Sequence, residues 1–353
     1  MSRLLVLTTT PWDRDPRASR AAAAAAHVGW EIDSVVASRS AGISSWSSRR
    51  ARRPQYRPLR GVYRAAKLGL ATGRLVRAAW GSTSEVIHAH DLDTLPAGWL
   101  LARRHAARLV YDAHELYSGF DTDPPRLWSK LSLALEGTLA RRADAVVTVS
   151  EPIAEELRRR LRLARPPLLV LNCPPLTPVQ VESRPGTPVR AIYQAAAGPG
   201  RLLEDIAEAA HEAPEIEFTV RLLGGGASQL PGVVVEPPVP PDRLVEALVP
   251  YDIGLVIDRP ETDNARLALP NKLFEYLMAG VAVAVPRSQS MAELVNEHKI
   301  GVVYEPGGLG AALKRLAADR GELDGMRRRA RELAETRFNA EAQRPALYRA
   351  WGI

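Results

Sequence analysis

Short apolar runs rich in β-branched residues alternate with helical stretches along the whole chain, a pattern that points to parallel α/β sheets. The runs fall at 4–7, 32–37, 86–90, 109–111, 145–149 and 168–171, then again at 191–195, 217–223, 233–236, 253–257, 282–285 and 302–304. Between the two sets lies Asn172-Cys173-Pro174-Pro175-Leu176-Thr177-Pro178, followed by another proline-bearing stretch to Pro188. Prolines without a periodic pattern read as a linker. The expectation is two doubly wound domains, 1–172 and 190–339, joined by a linker at 173–189. A last helix, about 340–353, is expected to pack back on the first domain. At 353 residues the chain also exceeds what one ordinary core supports. Ligands of such sheets sit at the carboxyl ends of the strands.

Charge is unevenly spread. Residues 1–170 carry 27 Lys/Arg against 16 Asp/Glu, whereas the remainder carries 20 against 24. A basic first half suits phosphates, acidic substrates or an anionic membrane surface. No helix-turn-helix, zinc-finger or aromatic RNA-binding pattern accompanies it, so nucleic acid is not expected as a partner. Around 61–80, basic residues lie beside Trp46, Tyr63 and Trp80, after Arg49, Arg50, Arg52, Arg53 and Arg57. The first reading of that stretch is a solvated helix packed by its apolar side. A peripheral membrane contact is the second. No apolar run is long enough to span a bilayer, and Asp13, Arg14, Asp15 and Arg17 follow the first strand where a signal peptide would be cleaved. Cys173 is the single cysteine, which excludes an internal disulfide and a cysteine metal cluster. A cytoplasmic protein is expected.

The most informative string is Leu269-Pro270-Asn271-Lys272-Leu273-Phe274-Glu275-Tyr276-Leu277-Met278-Ala279-Gly280-Val281-Ala282-Val283-Ala284. Pro270 suits the first turn of a helix, and the run after Gly280 is a strand. A helix start offers free N–H groups and a positive dipole to a diphosphate. Lys272 adds a full charge there. Glu275 shares a face with Asn271 and Lys272, and a carboxylate can accept two hydrogen bonds from a ribose diol. Gly224, Gly225 and Gly226 follow a strand end and would let the backbone approach a base or phosphate. His114 follows another strand end and can donate a hydrogen bond to substrate. Asp91 ends the strand before it and either meets an acceptor or caps the next helix with Asp93. His90 sits beside it on the acceptor side. His88 and His90 alternate along one strand and are read as facing opposite ways, a poor metal pair.

The string from Leu269 resembles the nucleotide-binding element of family 4 glycosyltransferases and their relatives, in a Pro-Asn-Lys-x-Phe-Glu-Tyr variant. His88-Ala89-His90-Asp91-Leu92-Asp93, Tyr111-Asp112-Ala113-His114-Glu115-Leu116-Tyr117, Ala143-Asp144-Ala145-Val146-Val147-Thr148-Val149-Ser150 and Gly198-Pro199-Gly200-Arg201 resemble further segments of that family, in order. The resemblance covers nearly the whole chain. It implies the GT-B fold, two Rossmann-like domains facing across a cleft, with a nucleotide-sugar donor held by the second domain. It implies uridine as the default base and retention of anomeric configuration. Needing neither metal nor cofactor, catalysis would use Arg201, Lys272 and a helix N-terminus to stabilise the leaving diphosphate. It also places His114 near the donor sugar and Glu275 on the ribose.

Two positions depart from the family. Leu267 stands where the first glutamate of the usual pair helps hold the donor sugar, and Ala196 stands where an arginine often meets the diphosphate. Arg201 fits the neighbouring lysine position. Arg17 is expected either to reach the donor phosphates in compensation or to pair locally with Asp15. The acceptor is a small molecule, a glycan or a lipid-linked hydroxyl. A catalytically degenerate nucleotide- or partner-binding protein and a sugar-nucleotide epimerase on the same fold are the competing readings. A glycosidase is disfavoured because no flanking carboxylate pair can be picked out.

Overall fold

The computed structural model describes residues 2–10, 15–36, 57–119, 126–183, 188–196, 203–223, 230–257 and 260–353. By contacts the chain divides into two compact units. The first comprises Met1–Val170, Thr262–Asn264 and Arg344–Ile353, and the second Leu171–Glu261 and Ala265–Gln343.

In the first unit β1 (Arg3–Thr8), β2 (Glu31–Val36), β3 (Val86–His90), β4 (Arg108–Ala113), β5 (Ala145–Thr148) and β6 (Leu168–Leu169) form one sheet in the order β2-β1-β3-β4-β5-β6. Every pairing is parallel. Helices α1 (Pro16–His27), α2 (Arg57–Ala78), α3 (Leu95–His105), α4 (Arg126–Ala140) and α5 (Glu151–Leu161) connect the strands. Parallel strands covered on both faces need apolar side chains throughout, and Leu4, Leu5, Val6 and Leu7 are all fully buried. Asp15 caps α1 by accepting the N–H groups of Arg17 and Ala18. α3 lies so close to β3 that a Cβ at Gly98 would meet the Ala89 side chain at 2.9 Å, which is why glycine stands there.

The second unit contains β7 (Val189–Ala196), β8 (Ile216–Leu223), β9 (Val233–Glu236), β10 (Ile253–Leu255), β11 (Ala282–Pro286) and β12 (Gly301–Tyr304), ordered β12-β11-β10-β7-β8-β9. Counted from its own first strand, this is the 3-2-1-4-5-6 order of a dinucleotide-binding sheet, with its switch point between β7 and β10. The helices are α6 (Leu203–Glu212), α7 (Leu244–Leu248), α8 (Asp263–Leu267), α9 (Asn271–Met278), α10 (Gln289–His298), α11 (Leu309–Ala318) and α12 (Arg320–Thr336). The final helix, α13 (Ala340–Trp351), brings Ala346, Leu347, Ala350 and Trp351 into the core of the first unit beside Leu4, Val6 and Val86.

Each strand read from the sequence is present, within a few residues at its ends. No helix among the described residues is long and apolar enough to cross a membrane. Asp13, Arg14, Trp46, the arginines at 49–53, Arg201 and the glycines at 224–226 lie outside the described residues.

Candidate active site

In the second unit α9 starts beside the β7–β10 switch point. Pro270 is the N-cap, in extended conformation and without a side-chain cap of its own, and its carbonyl accepts the Leu273 N–H at 3.1 Å. Tyr276 fixes the helix against the sheet. Its ring lies where a Cβ on Gly254 of β10 would be, and its hydroxyl is within 3.2 Å of the Leu255 carbonyl and accepts the Gln194 N–H at 3.3 Å. At the other end Gly280 adopts φ +67 and Val281 N–H closes back on the Tyr276 carbonyl, a glycine-dependent helix stop.

This packing sets three candidate side chains. Asn271, Lys272 and Glu275 are each half-buried on the outward turn of α9. The Lys272 ammonium sits 4.7 Å from the centre of the Tyr193 ring on β7. Glu275 Oε2 accepts a 3.0 Å hydrogen bond from Gln194 Nε2, also on β7. Sequence reasoning missed Gln194, although a glutamine at the carboxyl end of an apolar strand was a visible signal. Gln194 is 6% exposed, which fixes it as a rigid support for Glu275. Leu267 is buried and offers no polar side-chain group, while its carbonyl accepts the Ser290 hydroxyl at 2.7 Å.

The first unit gathers charge at the carboxyl ends of β3 and β4. Asp112, 1% exposed, receives Arg17 Nε and Nη2 in a fork, at 2.8 Å to Oδ2 and 2.7 Å to Oδ1. Arg17 Nη1 donates to the Val170 carbonyl at 2.7 Å. The Arg17 guanidinium is thus engaged by a buried carboxylate within its own unit, while its backbone N–H donates locally to Asp15, the cap of α1. Burial alone would raise the Asp112 pKa, but Arg17 and then His114 outweigh it and hold the carboxyl well below its ordinary range.

His88 and His90 share one face, because a two-residue step along a strand returns to the same side. Their rings stack at 4.6 Å, which corrects the reading that they face apart. His90, expected on the acceptor side, is only 2% exposed, and its Nδ1 lies 3.0 Å from His114 Nε2. It therefore supports His114 and offers little surface to an acceptor. Burial first, and His88 next, push its pKa well down, so it is neutral. His114 Nε2 also lies 3.4 Å from Asp112 Oδ2, and its Nδ1 lies 3.5 Å from Asp91 Oδ2. Burial would lower the His114 pKa, but Asp91 and Asp112 overcome that and raise it, favouring an imidazolium. Asp91 has φ +63 at the end of β3, and its Oδ1 accepts the His114 N–H at 3.1 Å. It does not cap α3, whose N-cap is Thr94. Burial raises the Asp91 pKa.

His88, His90 and Asp112 each offer a ligand atom within 4.8 Å of the others. Their chemistry suits a cation poorly. Trp351 of α13 donates its indole N–H to His88 Nδ1 at 3.3 Å, so a neutral His88 carries its proton on Nε2 and has no lone pair there. Arg17 already occupies both oxygens of Asp112. Beyond His114 the loop is tied down by Asn264, one of the three late residues belonging to this unit. Its Oδ1 accepts the Leu116 N–H at 2.7 Å and its Nδ2 donates to Glu115. No local pattern in the sequence signals that link.

Residues 18–174 match the family model for glycosyltransferase family 4, and residues 200–345 match that of a glycosyl transferase-like domain. Both parts of the chain therefore carry glycosyltransferase domains, the first of them of family 4. No curated protein matches it by sequence. Among solved structures it is similar to a sucrose-phosphate synthase from Thermosynechococcus elongatus, with a TM-score of 0.72 and 14% identity over 99% of this chain and 98% of that one. Anabaena HepE in complex with UDP gives 0.69 and 12%, over 99% of each chain. An Escherichia coli protein described as trehalose-6-phosphate, bound with UDP-2-fluoro glucose, gives 0.62 and 12%, over 100% of this chain and 99% of that one. Identities this low carry the fold, which is GT-B. A glycosyltransferase of this type accounts for both sheets and for the position of α9 at the switch point of the second.

Proposed function

We propose that this glycosyltransferase moves a sugar from a nucleoside diphosphate donor to a hydroxyl acceptor, with UDP as the leaving group, retention of anomeric configuration and no metal ion. The observation that carries the reading is α9: a helix N-terminus opened by Pro270, Lys272 in its first turn, and Glu275 held by Gln194 one turn on. The helix end and Lys272 stabilise the diphosphate as charge develops on it, and Glu275 takes the ribose diol. Arg201 and the glycines at 224–226 complete the donor site in this reading. The complexes of HepE with UDP and with UDP-glucose lend it support.

In this reading His114 serves the reaction centre, as the family resemblance implies. Its ring nitrogens face Asp91, His90 and Asp112, so its contribution is electrostatic more than a hydrogen bond handed to substrate. Asp91, with its side chain 25% exposed, faces the acceptor in this reading. The acceptor is a small molecule, a glycan or a lipid-linked hydroxyl, and the protein works in the cytoplasm with a peripheral contact at the inner membrane face.

A nucleotide-binding protein without turnover is the second reading, favoured by the buried Leu267 at the place of a sugar-holding glutamate. Incubating pure protein with a panel of nucleotide sugars, with and without candidate acceptors, separates the two. Nucleotide release that depends on acceptor supports transfer. Tight UDP binding with no release across the panel supports the binder.

A further inference from the structure

Leu75, fully buried, marks the inward side of α2. Tyr63, Lys67, Leu70, Arg74 and Arg77 follow at steps of four and three, so they share one stripe on the opposite side of the helix. All five are exposed, Leu70 at 61% and Tyr63 at 42%. The stripe runs about 21 Å at the ordinary helical rise. Just past the helix Trp80 is 52% exposed, with the Arg104 guanidinium 4.0 Å over its ring. From Ser34 to Ser84 the sequence holds eleven Lys/Arg and no Asp or Glu.

An ordinary solvated helix face intersperses both signs of charge and stabilises itself with pairs one turn apart. This face cannot, having no carboxylate. A helix that docks on a protein groove presents a continuous apolar ridge. Here every apolar side chain is flanked by a cation along the stripe. Long basic side chains reach phosphates while Tyr, Leu and Trp dip shallowly below them, which is the composition an interfacial helix needs. We infer that the Tyr63–Arg77 stripe of α2, extended by Trp80, docks the first unit on an anionic phospholipid surface. This locates the peripheral placement proposed above, and it does not depend on turnover.

Sedimentation with vesicles tests it. The protein should bind vesicles of phosphatidylcholine mixed with phosphatidylglycerol, bind phosphatidylcholine alone weakly, and be released by high salt. Each cation near such a surface contributes about a fivefold effect, so Lys67→Glu, Arg74→Glu and Arg77→Glu together should weaken binding by at least ~100-fold. Leu70→Ser alone should weaken it without changing the salt dependence. UDP binding and the thermal midpoint of these variants should equal those of the wild type, which separates loss of docking from loss of the donor site or of the fold. Equal binding to neutral vesicles, no binding to either kind, or undiminished binding by the triple variant would overturn the inference.

Discussion

Asp112 holds the charge balance at the carboxyl ends of β3 and β4, since one buried carboxylate answers Arg17 and lies within 3.9 Å of three imidazoles. Arg17→Met would leave that carboxylate buried without its main partner, and chemical denaturation should show a loss of about 3–5 kcal/mol. Adding Asp112→Leu should recover part of it, because replacing both members of a buried pair costs less than breaking it. Glu136 of α4 is a second buried acid. It is 1% exposed, accepts the Tyr111 hydroxyl at 2.8 Å, and burial lifts its pKa to about 7. A carboxyl whose folded pKa is raised contributes stability that is full below the unfolded value, near 4.5, and lost as pH rises through 7. Glu136→Gln keeps the acceptor without the charge. Its melting temperature should exceed that of the wild type at pH 8, by the equivalent of up to about 3 kcal/mol, and the difference should vanish in acid. A constant difference across that range would show that Glu136 does not titrate in the fold. Sequence made few of these contacts legible. An acid inside Leu-Val-Tyr-Asp-Ala is a visible anomaly, but its partner Arg17 is 95 residues away. The Trp351–His88 bond spans 263 residues, and no local period encodes it.

At the scale of elements, legibility was high where physics is local. The strands follow from β-branched runs, and α9 follows from Pro270 before it and Gly280 after it. Gly280 is the more demanding of the two ends. An alanine there would hold φ +67 and drive its Cβ into Val181, so Gly280→Ala should cost about 2 kcal/mol or more in thermal unfolding. An unchanged midpoint would show that the helix stop relaxes easily. The histidines of β3 were misread at this same scale. A strand repeats every two residues, and applying that period correctly places His88 and His90 together. His114→Ala removes from this group an imidazole whose charged form Asp91 and Asp112 favour over the opposing effect of burial. In the proposed mechanism it should slow transfer more than it weakens UDP binding, as measured by turnover beside titration calorimetry. The reverse result would move His114 out of the reaction centre.

For the whole molecule, two six-stranded parallel sheets divide the work that a GT-B transferase needs. The second sheet places its switch point beneath α9, and the first gathers the histidines and aspartates. The helix α13 belongs to the first unit although it ends the chain, and Thr262–Asn264 joins that unit from the middle of the second half. A reading by sequence blocks could anticipate the first arrangement from an amphipathic helix left over after the last strand. The second depends on side-chain contacts across the sequence, Asn264 with the loop after His114 and Asp263 with Arg160. In the proposed function the donor lies at α9, with its ribose on Glu275. Titration calorimetry of UDP into the wild type and Glu275→Ala tests that most directly. Two hydrogen bonds to a carboxylate are lost in the variant, and at about 1.5–3 kcal/mol in all the affinity should fall roughly ten- to a hundredfold. Equal affinity for UDP in the two proteins would contradict the account.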